Sequence, residues 1–310
     1  MTAQDLPQDA TSLRPGAPFA SAEAVSETLL EHGYVLDRNL AMAIFLSCGL
    51  PKPILVEGEA GVGKTEIAKV LSRALGSRLI RLQCYEGIDV RQAVYEWNYP
   101  KQMLRIRSLE QSTGTGSDAF KDIFSPEYLI RRPLMQAIEA VGDTPTVLLI
   151  DEIDRADEEF EAFLLELLSD YQVTIPEMGT MRAESPPIVV LTSNRTREIH
   201  DALKRRCIYH WIAYPTIHKE MSIVRVKLPG VPERLAYQVC AAVQDLRHMD
   251  LQKVPGIAET LDWTSALLML GRDQLDLDMA RDTLGVVVKM QEDLERVDEE
   301  LPDLLDRAGQ

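Results

Sequence analysis

The eight residues Gly58-Glu59-Ala60-Gly61-Val62-Gly63-Lys64-Thr65 constrain this chain more than any other feature. They fit the spacing G-x-x-x-x-G-K-[ST], in which each fixed position has a physical task. The glycines let the backbone wrap closely, so that successive N–H groups point at phosphate oxygens. A helix beginning near Lys64 aims its positive end at the same anion. Lys64 then reaches the β- and γ-phosphates of a nucleoside triphosphate, and the Thr65 hydroxyl ligates Mg2+. Such a loop needs a strand before it and a helix after it. Both are expected, since Ile54-Leu55-Val56 reads as a buried strand and residues 64–75 as a helix.

The same alternation continues along the chain. Apolar runs at 79–82, 147–150, 188–191 and 207–212 read as four more strands. Residues 157–169 read as a helix, with Phe160, Phe163, Leu164, Leu167 and Leu168 on one apolar stripe. Strands alternating with helices predict a five-stranded parallel sheet covered on both faces. Two helices, near 21–31 and 37–48, precede it, and Leu50-Pro51-Lys52-Pro53 ends the second. After Pro215 only helical periodicity remains. The expected division is therefore a polar lead-in over 1–20, an α/β domain over 21–215 and a smaller all-helical domain over 216–310. A length of 310 residues accords with two domains.

Composition narrows the function. The chain has 33 Lys+Arg against 49 Asp+Glu, a net charge of −16, which argues against a general nucleic-acid coat. No apolar run approaches the roughly 18 residues of a membrane span. Residues 1–20 carry acids where a signal peptide needs bases, so a cytoplasmic protein is expected. Cys48, Cys84, Cys207 and Cys240 match no metal spacing and read as buried thiols. Trp211 and Trp263 read as core. The acidic stretch from Glu292 to Asp306 reads as a solvated helix face.

Three further elements accompany the phosphate loop. The strand at 147–150 delivers Asp151 and Glu152 at its C-terminal end, where ligands of an open α/β sheet bind. Asp151 is the expected Mg2+-holding acid, and Glu152 the acid that orients and polarises an attacking water. Asp157 or Asp154 is expected to cap the next helix. Asn194 ends the following strand, placed to hold that water. Lys204-Arg205-Arg206 precede the last strand. Either arginine could neutralise transition-state charge in a neighbouring subunit, with Arg206 preferred over Arg205.

In this order the motifs resemble an AAA+ ATPase. His32-Gly33-Tyr34-Val35, Pro53 to Glu66, Gln83-Cys84-Tyr85-Glu86-Gly87 and Tyr95-Glu96-Trp97-Asn98-Tyr99 are similar to the CoxD-type branch of the MoxR family. The resemblance implies ATP bound by Gly58 to Glu66 with Gly33, Tyr34 and Val35 at the adenine. It implies Mg2+ at Thr65 and Asp151, Glu152 and Asn194 as hydrolytic residues, and Arg205 or Arg206 as a finger. It further implies a ring of six subunits and an insertion within about 90–135. The implied partners are a protein with a von Willebrand factor A domain and a client metalloenzyme such as carbon monoxide dehydrogenase. One departure stands out. Residues 259–265, where many such lids carry an arginine reaching the γ-phosphate, have none, and Arg272 is the next downstream. Two other functions compete. A nucleic-acid motor would use Lys101, Arg105, Arg107, Arg131 and Arg132 as a basic pore. A nucleotide-dependent scaffold would hardly turn over, which the intact Glu152 argues against.

Overall fold

The computed structural model describes residues 17–111, 123–142 and 144–308. At its centre is a five-stranded parallel sheet of β1 (Ile54–Gly58), β2 (Leu79–Gln83), β5 (Val147–Asp151), β8 (Ile188–Ser193) and β9 (Ile208–Ile212), in the order β2-β5-β8-β1-β9. The expected α/β class and strand number are both observed. Side chains alternate between the two faces of each strand. Leu55, Leu148, Ile150, Val189 and Leu191 enter one core, and Ile54, Val56, Val147, Leu149, Ile188 and Val190 the other. Burial on both faces explains why these strands read as continuous apolar runs.

Four of the strands continue past their apolar runs into polar residues: Glu57, Gln83, Asp151 and Thr192-Ser193. Ladder pairing carries these residues into the sheet, and it brings them to one edge. Two short antiparallel pairs were not expected: β3 (Tyr95–Trp97) with β4 (Leu129–Arg131), and β6 (Gln172–Ile175) with β7 (Gly179–Arg182). Their runs of three or four residues, each including a polar or charged one, are too short to read as strands.

The helices at Ala22–Glu31 and Arg38–Gly49 are capped by Ser21 and Asp37. Phe19 is already buried against this part of the core, and residues 1–16 of the expected lead-in lie outside the described residues. Asp157 caps the helix Glu158–Asp170 by accepting from the Phe160 N–H at 2.8 Å. Asp154 has a different task, given below.

Trp211 departs from expectation. It is 37% exposed, and the Arg195 guanidinium lies over its ring at 5.5 Å. β9 is an edge strand, and its Tyr209 and Trp211 lie on the Leu55 face of the sheet without joining either core. Trp263 is fully buried, with its indole N–H donating to Thr283 Oγ1 at 2.7 Å. Cys48, Cys84 and Cys240 are buried and Cys207 half-buried, all as thiols. Burial pushes Cys84, Cys207 and Cys240 up to about 12.

The C-terminal region is helical throughout its described length, with helices Ile217–Lys227, Glu233–His248, Ile257–Met269, Leu277–Thr283 and Gln291–Ala308. A buried ion pair ties the first three together. Arg247 donates to Glu220 through Nη1 at 2.7 Å and Nη2 at 2.6 Å, and Thr260 Oγ1 donates to the same carboxylate at 2.6 Å. Gln244 Nε2 adds a fourth bond to Glu220 at 2.7 Å. Removing one partner leaves an uncompensated buried charge. Arg247→Met should therefore cost about 3–5 kcal/mol in urea unfolding, and Glu220→Leu in the same chain should recover most of it. Equal stability of wild type and Arg247→Met would show that the pair contributes nothing net.

Candidate nucleotide site

The loop from Gly58 to Thr65 leaves the C-terminal end of β1 and enters the helix Lys64–Ala74. A Cβ on Gly58 would lie 2.2 Å from the Ile212 carbonyl oxygen, so only glycine lets β1 and β9 run side by side here. Gly63, at φ +91°, caps the helix in a left-handed conformation open to glycine at no steric cost. The Lys64 side chain is buried and turned back on the loop, donating to the carbonyls of Gly58 at 2.8 Å and Glu59 at 2.6 Å. Burial pulls its ammonium below the usual lysine range, opposed by the carboxylates of Asp154, Glu59, Asp151 and Glu152.

Asp151, 2% exposed, is the hub beneath the loop. Its Oδ1 accepts from Thr65 Oγ1 at 2.9 Å and from Thr192 Oγ1 at 2.5 Å. Its Oδ2 accepts from Arg81 Nε at 3.1 Å and Nη2 at 2.6 Å. Glu152 follows with φ +55°, its N–H held by Thr192 Oγ1 at 3.0 Å. That backbone turns the carboxylate out of the sheet edge. There Gln83 Nε2 donates to Oε2 at 3.1 Å, Asn194 Nδ2 to Oε1 at 3.5 Å, and Arg155 pairs with Oε2 at 3.1 Å. The buried Asp154 accepts from the N–H groups of Asn194 at 3.2 Å and Thr196 at 2.9 Å, and from Thr196 Oγ1 at 2.7 Å. It thus fixes the turn that presents Asn194.

A cavity of about 570 Å³ lies over the loop. Gly33, Tyr34 and Val35 line it together with residues 60 to 66, Glu152 and Asn194. Tyr34 OH donates to the Gly63 carbonyl at 3.4 Å, and burial raises its phenol above the usual tyrosine range. Glu66 sits at the rim, paired with Arg73 at 2.8 Å and Lys227 at 3.5 Å. From the helical region Ile257, Ala258 and Leu261 complete the wall. Arg272 is not among the lining residues.

Arg205 and Arg206 do not reach this cavity. They line a separate cleft of about 720 Å³ with Lys52 and Tyr171, and Arg206 donates to Ser169 Oγ. Of the bases considered for a pore, Lys101 pairs with Glu127, Arg131 with Glu139 and Arg132 with Glu96. Sequence reasoning missed Arg81 and Gln83. Their signal was present, because two polar residues at i and i+2 in an apolar strand share one face. What it lacked was a reason to place β2 beside β5.

The sequence matches the profile of the AAA domain, dynein-related subfamily, over residues 53–207, half of the chain. Among solved structures, the Thermotoga maritima RuvB Holliday junction branch migration motor is similar at 14% identity and a TM-score of 0.47, covering 89% of this chain and 76% of that one. A candidate ATPase from Cytophaga hutchinsonii is similar at 12% identity and a TM-score of 0.43, covering 92% of this chain and 96% of that one. No curated protein matches. Among the described residues no helix is long and apolar enough to cross a membrane, and no cluster of His, Cys, Asp and Glu is arranged to hold a metal ion by itself.

Proposed function

The chain belongs to the AAA family, in its dynein-related subfamily, and from that membership we propose that it is a Mg2+-dependent ATPase of the MoxR type that remodels or assembles a client protein complex. The observation that carries this reading is the meeting of Lys64, Thr65, Glu152 and Asn194 at one cavity, with Asp151 buried beneath it and bonded to Thr65. The donor set suits Mg2+-ATP: a glycine loop with a helix N-terminus, a buried ammonium, and a hydroxyl beside a carboxylate. Thr65 and Asp151 would hold the metal, which would supply positive charge beside the phosphates.

This chain's own residues divide the remaining work. Lys64 exchanges its two carbonyl acceptors for phosphate oxygens, which as anions bind an ammonium more strongly. Asn194 and Glu152 together orient a water. As that water attacks the γ-phosphorus and the bond to the β–γ bridging oxygen breaks, Glu152 takes the water's proton, leaving ADP and phosphate. Gln83 limits where the Glu152 carboxylate can point. The adenine end falls to Gly33, Tyr34 and Val35. Arg206, remote from its own cavity, acts on a neighbouring subunit in a six-membered ring. In this reading residues 21–215 are the nucleotide-binding domain and 216–310 its lid.

The stretches quoted above from residues 32–35, 83–87 and 95–99 support the CoxD-like branch. On that branch the client is a metalloenzyme of the carbon monoxide dehydrogenase kind, the partner carries a von Willebrand factor A domain, and the setting is the cytoplasm. Glu152→Gln tests the chemistry. It removes the proton acceptor and keeps the shape, so ATP should still bind while turnover falls by about 10²-fold or more. Hydrolysis at the wild-type rate would assign the water to another residue.

A further inference from the structure

The segment Pro255-Gly256-Ile257 opens the helix Ile257–Met269 and rests directly on the phosphate loop. The Ile257 N–H donates to the Gly61 carbonyl at 3.0 Å. Gly256 and Gly61 face each other without side chains. A Cβ on Gly256 would lie 2.7 Å from Gly61 Cα and 2.8 Å from its oxygen, separations that backbone atoms do not tolerate. Two groups hold the segment there. Glu259 Oε2 accepts the Gly256 N–H at 2.9 Å, and Arg247 Nε donates to the Pro255 carbonyl at 2.9 Å. Arg247 is itself fixed by the buried Glu220.

This contact bears on the loop's anion-facing side. A trans peptide is planar, so the Gly61 carbonyl and the Val62 N–H point in opposite directions. Holding the carbonyl toward the helical region turns the Val62 N–H to the other side. The bond also polarises that peptide, which makes the N–H a better donor. Ile257 is the first residue of its helix, where the N–H has no acceptor within the helix. The helix therefore does not compete for it. No arginine occupies residues 259–265 to do this work from a side chain.

We propose that Gly256 and Ile257 form a backbone latch through which the helical region orients the phosphate loop and so couples its own position to ATP binding. The inference rests on the nucleotide-binding reading above, and both residues are positioning residues.

Ile257→Pro and Ile257→Ala separate the amide from the side chain. Proline is well tolerated at a first helical position, and Gly256, at φ −90° and ψ −170°, already has the extended backbone that a following proline requires. Alanine removes the same apolar wall and keeps the N–H. In titrations with a fluorescent ATP analogue, the proline variant should bind at least about fivefold more weakly than the alanine variant, because its ring removes the donor and sets Cδ where the hydrogen faced the Gly61 carbonyl. Gly256→Ala should lose at least as much. Gly285→Ala, where a Cβ meets open space, should match wild type. In the alanine variant, exchange of the residue 257 amide should slow when the ATP analogue is added. Equal affinities for proline and alanine variants, or amide exchange indifferent to nucleotide, would overturn the latch while leaving ATP binding intact. A wild-type chain that takes up no ATP overturns the proposed function instead, together with the coupling.

Discussion

Arg206→Ala should bind ATP almost as wild type does and hydrolyse it about 10³-fold more slowly, at the lower end for arginine fingers. The reason lies in its position. Arg206 ends the helix Asp201–Arg206 and lines a cleft with Lys52 and Tyr171, outside the cavity over the phosphate loop. Under the proposed function, an arginine so placed would serve catalysis by entering the site of another subunit. Mixing provides the decisive measurement. Arg206→Ala subunits keep an intact phosphate loop, and Lys64→Ala subunits keep an intact finger. Neither alone should turn over, yet mixed rings should regain part of the activity where a sound loop meets a sound finger. Verified mixed rings without recovery would rule out action in trans. If Arg205→Ala shows this behaviour and Arg206→Ala does not, the finger is Arg205 and the mechanism is unchanged.

Lys64→Ala should abolish ATP binding. Its ammonium is the one buried cation of the loop, and it is already bonded to the Gly58 and Glu59 carbonyls, within reach of Asp151 and Glu152. Without it, a triphosphate would bring several negative charges toward Asp151, Glu152 and Asp154 with no lysine to offset them. The same variant should unfold no earlier than wild type, because burial disfavours the ammonium more than the neighbouring carboxylates favour it. Calorimetric titration with ATP, alongside thermal unfolding, reads both. Unchanged ATP affinity would remove Gly58 to Thr65 from the site altogether.

The parts of the site legible in the sequence are those encoded locally. Gly58 to Thr65 announces itself because a left-handed glycine at 63 and a close approach at 58 demand particular residues at particular spacings. Asp151-Glu152 and Asn194 could be placed because an apolar run followed by a polar residue marks the end of a strand. Asp154 shows the limit of this reasoning. An acid three residues before a helix cap looks like a cap itself, whereas its carboxylate is buried and bonded to Asn194 and Thr196 in the turn after a strand that follows much later.

Trp211 was misread for a related cause. Its residue type favours burial, but β9 lies at the sheet's edge, and edge position belongs to strand order rather than to any one segment. By itself the sequence determined the phosphate loop, the parallel α/β class and the helical character of the C-terminal region. Helical and strand periodicity, together with glycine stereochemistry, act within a few residues. Only the tertiary structure decided that β5 lies between β2 and β8, which puts Arg81 on Asp151 and Gln83 on Glu152. It alone decided that Gly256 rests on Gly61 and that Glu220 is buried with Arg247. Glycine, glutamate and arginine are common residues with many possible partners. Which of them meet is set by how the layers pack, because the energy of each contact exists only once both halves have been brought together.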